Sequence, residues 1–117
     1  MPEQNTPATV ETSKRLPEIW ALIWRSHQTD DLFDQSTFDE RVPRLMVWLR
    51  ELRDNGHLIA CGGGGFANHS GGLTLVRAAD PEEAARLAAG SPMNEIGTTE
   101  TFIWDVFYAR LDVPRQF

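Results

Sequence analysis

The chain has 117 residues, a formal net charge of −6, one cysteine and three histidines. That length suits one domain with a single hydrophobic core, and an acidic balance without any Lys/Arg run argues against a nucleic-acid partner. One cysteine rules out an internal disulfide framework and fits a reducing, cytoplasmic compartment, while no stretch is apolar for long enough to span a membrane.

Residues 1–17 are polar, contain Pro2, Pro7 and Pro17, lack an apolar signal segment, and read as a disordered lead-in. The domain is expected over 18–112, with a short tail at 113–117. EIWALIW (18–24) is an almost unbroken apolar run, as in a central strand covered on both faces. After a polar connection, Val42, Leu45, Met46, Leu49 and Leu52 make one apolar stripe of a helix over 39–54, stopped by Asn55-Gly56. Asp39 and Glu40 fall where the helix dipole favours carboxylates, and Pro43 is still close to the first turn. LIAC (58–61) is the second strand. The run Gly62 to Gly65, continued to Gly71-Gly72, reads as the loop of a hairpin leading to a third strand, GLTLVRA.

DPEEAARLAAG is the clearest local signal: Asp80 as N-cap, Pro81 in the first helical position, Glu83 completing a capping box, Gly90 as terminator. SPMNEIGTTE reads as a loop and TFIWDVFYARL (101–111) as the fourth strand, with Asp105 as an edge charge against unwanted pairing.

The order β-α-β-β-α-β is the ferredoxin-like arrangement, an α+β fold. Right-handed crossovers place both helices on one face of a four-stranded antiparallel sheet. Trp20, Trp24 and Trp104, with apolar residues on both parities of the outer-numbered strands, leave an oily sheet face that calls for a partner. The economical partner is a second copy, making a homodimer in the form of a dimeric α+β barrel.

The topology gathers Arg25, His27, Arg41, Arg44, Cys61, the glycines, His69, Ser91, Asn94 and Glu95 at one end, with His57 at the other. His27 with Asp30, Asp31 and Asp34 matches no ligand spacing, so no metal and no cofactor is expected. His69 is either an acid–base group or a solvated loop residue. Cys61 has no evident base and reads as a small buried hydrophobe. The glycines are followed by a strand rather than a helix, which excludes a phosphate loop and leaves close backbone approach to a ligand or to the second copy.

The run L-x-x-L-x-x-x-G-x-L-x-x-x-G (Leu49, Leu52, Gly56, Leu58, Gly62) resembles the YCII-related domain. So do A-x-D-P-E-E-A from Ala78 to Ala84 and S-P-M-x-x-x-G from Ser91 to Gly97; the likeness covers Ile19 to Leu111. The resemblance implies a ferredoxin-like homodimer and, in some members, lyase or dehalogenase-type chemistry on ring compounds, with a His and an Asp as the active pair. Here those positions fall on or beside Leu45 and on Ser91, so the pair is absent. The expectation is a dimer that holds a small organic ligand through Arg25, Arg44, Ser91 and Asn94, with Trp24 and Trp104 as aromatic walls. The alternatives are a lyase or isomerase with a relocated base, His27 or His69, and an interaction module without a ligand.

Overall fold

The structure, a computed structural model, describes residues 17–111; the expected lead-in and C-terminal tail otherwise lie outside the described residues. The elements are β1 (Glu18–Ser26), α1 (Gln35–Asp54), β2 (Leu58–Phe66), β3 (His69–Ala78), α2 (Pro81–Ala89) and β4 (Gly97–Ile103), with single 3₁₀ turns at Asp30–Leu32 and Pro92–Glu95. The antiparallel sheet has the order β2-β3-β1-β4, which is the ferredoxin-like α+β arrangement.

Both helices lie on one face. Leu49 and Leu52 of α1 join Ala84, Leu87 and Ala88 of α2 over Trp20, Leu22, Val76 and Ala78 of the sheet, forming one core. Each leucine buried this way contributes about 1.5–3 kcal/mol. The α2 ends follow the local signals. Asp80 accepts from Glu83 N (2.8 Å), and Glu83 reaches back to accept from Ala79 N (2.7 Å). Gly56, at φ +80°, stops α1.

Four expectations need correction. First, α1 begins at Gln35, because Asp34 accepts from Ser36 N and Thr37 N and both hydroxyls as well. That cap places Pro43 two turns inside the helix rather than near its first turn, at the loss of one backbone hydrogen bond. Second, the glycines are not a loop. β2 runs straight through them, pairing Gly63 with Gly72 and Gly64 with Gly71, and the hairpin turns instead at Ala67-Asn68, both with positive φ.

Third, β4 starts at Gly97 and ends at Ile103, where β1 runs out of partners: Trp104 N still donates to Ile19 O (2.9 Å), and Asp105 lies beyond the strand. Thr98, Thr99 and Thr101 are good strand formers that lack apolar alternation, which is why the segment reads as a loop in one dimension. Fourth, Trp20 and Trp24 belong to the helix-covered face, each only 7% exposed. The register leaves Ile19, Ala21, Ile23, Leu73, Leu75 and Phe102 on the other face. That face carries an apolar patch, bordered by Arg25, Arg77 and Glu100, and Trp20 and Trp24 are not part of it.

Candidate functional site

The glycine-rich half of the sheet decides where space is left. Alternation along β2 and β3 puts Cys61, Gly63, Gly72 and Thr74 on the helix face, beside Leu22 and Trp24 of β1. At positions 63 and 72 there is no side chain to meet α1. A cavity of about 380 Å³ fills the gap. Leu45, Met46, Trp48 and Leu49 of α1 roof it, and Trp24, Phe38 and Met93 close its side. Among the described residues, no charged side chain lines it.

Trp24 is the most firmly held wall. Its indole Nε1–H donates to Met93 O at 2.8 Å inside the core, its ring lies across Gly97, and Phe38 packs against it with centroids 6.2 Å apart. Phe38 is itself held by Phe33 at 5.8 Å. The polar atoms reaching the cavity are few. Ser91 Oγ accepts from Met93 N (3.1 Å), Thr99 Oγ1 donates to Asn94, and Thr74 is 9% exposed with no hydrogen bond from its hydroxyl to any described residue. Burial pushes the Cys61 thiol pKa up, which keeps it protonated and unreactive at neutral pH.

The residues expected to form the site are dispersed around this cavity. Trp24 and Ser91 line it. Arg44 and Asn94 line a more open groove of about 590 Å³ on the outer side of α1, which shares Trp48 and Ser91 with the cavity. Asn94 is committed to structure, donating to Ala88 O (3.0 Å) and accepting from Thr99. Arg25 stands exposed on the face of the sheet away from the helices, and Trp104 lies past the end of β4. The structure brings neither to the cavity.

The two histidines sit at the expected end without a catalytic setting. His27 is exposed, its Nε2 3.2 Å from Thr98 Oγ1, and it borders a separate groove with Phe33 and Thr37. His69 donates from Nδ1 to Ser26 O at 2.8 Å. Among the described residues neither imidazole bonds a carboxylate, and no three His, Cys, Asp or Glu side chains converge as metal ligands.

Arg44 is not free either. It clamps Glu95 through two hydrogen bonds of 2.9 Å, and Arg41 Nε adds a third at 3.0 Å. The Arg44 guanidinium, with Arg41 behind it, holds the Glu95 carboxyl down at about 2 against an ordinary 4.5. The hydroxyls and amides of Ser36 and Thr37 lower Asp34 to about 2 in the same way. Both folded-state values lie below the unfolded ones, so the stabilisation is present above the ordinary carboxylate range and is lost as pH falls toward 2. Melting temperature is therefore expected to hold from pH 7 to 5 and to fall steadily from there to 2. The Glu95→Gln variant should have a lower plateau and a shallower acid limb; equal slopes would contradict this account.

Phe38, Leu45, Met46, Trp48 and Thr74 are cavity residues that sequence reasoning missed; Gly63 and Gly72 were read as a close approach to a ligand or a second copy, but on a loop rather than on two strands. Glycines recurring two apart within a strand are a signal for missing bulk on one face, but only once the strand itself is recognised. Leu45 and Ser91 both line the cavity. These are the positions at which the resemblance implies the missing His and Asp.

The family model of the YCII-related domain matches residues 19–106. No curated protein matches the chain. No helix among the described residues is long and apolar enough to cross a membrane.

Proposed function

We propose, since the chain belongs to the YCII-related domain family, that it binds a small organic ring compound in the cavity between α1 and the glycine-bearing half of the sheet. One observation carries this reading. A space of about 380 Å³ is walled by Trp24, Phe38 and Trp48 and floored by glycine backbone, where an ordinary α/β interface is packed with side chains. Family membership supports it, because Leu45 and Ser91 border the same space. Acid–base chemistry has less support: among the described residues no imidazole or carboxylate lines the cavity, and neither His27 nor His69 bonds a carboxylate.

The apolar sheet face supports the homodimer as part of the same reading. Ile23, Leu73 and Phe102 stand on the side away from the helices, with Phe102 48% exposed. An exposed apolar patch of this kind, with Glu100, Arg25 and Arg77 beside it, favours a partner, and a second copy is the simplest complement. In sedimentation velocity the protein is expected to run as a dimer and Phe102→Asp as a monomer. A monomeric native chain would end that part of the proposal.

Binding is tested by adding 2-naphthol to isotopically labelled protein and following amide shifts. Shifts confined to Gly63, Gly72, Thr74 and the α1 residues facing them are expected. Shifts elsewhere, or none, would refute the assignment of the site.

A further inference from the structure

We infer that the cavity selects an uncharged, flat molecule of about two fused rings whose single polar group is held at Thr74. This rests on the binding reading above and narrows it to a ligand class.

Charge is excluded by what borders the space. Among the described residues no Arg, Lys, His, Asp or Glu lines it, and the Cys61 thiol is neutral. Arg41 and Arg44 of α1 are already bonded to Glu95 outside it. A carboxylate entering the cavity would give up its water for no counter-charge, and that loss far exceeds what ring contacts return.

Shape follows from the glycines. Gly63 and Gly72 lie opposite one another on β2 and β3, so the side chains missing there open the space along the sheet beneath α1, which favours a flat occupant. A Cβ added at Gly63 would find its nearest neighbour at 3.9 Å, so the space is open there. Apolar cavities of about 150 Å³ accept benzene; one of about 380 Å³ has room for a bicyclic ring system.

Polarity follows from Thr74. Its side chain is nine-tenths buried, faces the helix side in register with Leu22 and Cys61, and makes no hydrogen bond to a described residue. That hydroxyl borders the cavity with its hydrogen-bonding capacity unused by the described residues, so a ligand hydroxyl or carbonyl can pair with it. Ser91 Oγ, which accepts from Met93 N, keeps its own proton for the same purpose.

Calorimetric titration at neutral pH with 2-naphthol, naphthalene and 2-naphthoate separates the possibilities. The native protein is expected to bind 2-naphthol best, naphthalene about tenfold more weakly for want of one hydrogen bond, and 2-naphthoate least. Thr74→Val, which keeps the shape, should weaken 2-naphthol about tenfold while leaving naphthalene unchanged. Binding of 2-naphthoate as tight as that of 2-naphthol would overturn the ligand class and leave the cavity as the site. An unchanged 2-naphthol affinity in Thr74→Val would overturn the role of Thr74 alone. Failure of all three probes to bind would remove both this inference and the reading it rests on.

Discussion

Alanine in place of Gly97 is expected to destabilise the domain by about 2–6 kcal/mol, a large share of the total for a chain of this size. A Cβ at this position would stand 2.5 Å from Trp24 Cε2 and closer still to Trp24 Nε1 and to Arg25 O. Neither neighbour can give way. The carbonyl belongs to β1, held in its ladder with β4 one pair from the end, and the indole is pinned by Met93 O on one side and Phe38 on the other. Overpacking of this kind costs about 1–3 kcal/mol, and orphaning the buried indole N–H adds about 1–3 more. Denaturation in urea should show the loss as a lower midpoint at unchanged slope. Gly62→Ala is the internal control, since a Cβ there meets nothing within 4 Å, and it should be neutral or slightly stabilising. Equal effects at 97 and 62 would mean that the close approach of Trp24 to the β4 backbone is not what Gly97 serves.

Gly63→Leu should act in the opposite sense: more stable, yet unable to bind. Gly63 is in ordinary strand geometry with open space beside it, so a leucine side chain can enter the cavity toward Met46 and Leu49 without forcing them. Replacing a strand glycine removes backbone freedom from the unfolded chain, and the new side chain fills a void, together raising stability by about 1 kcal/mol. The same leucine occupies the ligand's volume, so binding of 2-naphthol should fall below detection. A variant that is destabilised, or that still binds normally, would show that the space beside Gly63 is not the binding site. The two glycines thus separate two roles that composition cannot distinguish. Gly97 makes room for a residue of the protein itself, and Gly63 leaves room for something else.

Much of the architecture was legible without coordinates because it is written in short-range terms. The α2 capping box and terminal glycine are satisfied within four residues of themselves. The stripe Val42–Leu52 depends only on helical period, and the element order then leaves few topologies to choose from. The motif spacings pointed to the same family that the matched residues 19–106 establish. The misreadings share a cause: β2 through the glycines and β4 from Gly97 exist because a neighbouring strand offers matching donors and acceptors. Gly64 carries no pattern of its own, and its assignment comes from Gly71 across the ladder.

The candidate site was legible only in pieces. Trp24 and Ser91 stood out as residue types, and both line the cavity. Arg44 stood out too, but whether a cation is free or neutralised depends on which carboxylate the fold carries to it. Here Glu95, far along the chain, is that carboxylate.

By itself, the order of residues determined the α+β class, the helix faces and their stops, and the family, since these follow from propensities and periods that act over a few positions. Tertiary structure alone decided which parity of β1 faces the helices, that the glycines of β2 and β3 lie opposite one another beneath α1, and that Arg44 is closed off by Glu95. Each of these is a relation between segments distant in sequence. A cavity is made where side chains are missing on two strands at once, and no local stretch of chain records that coincidence.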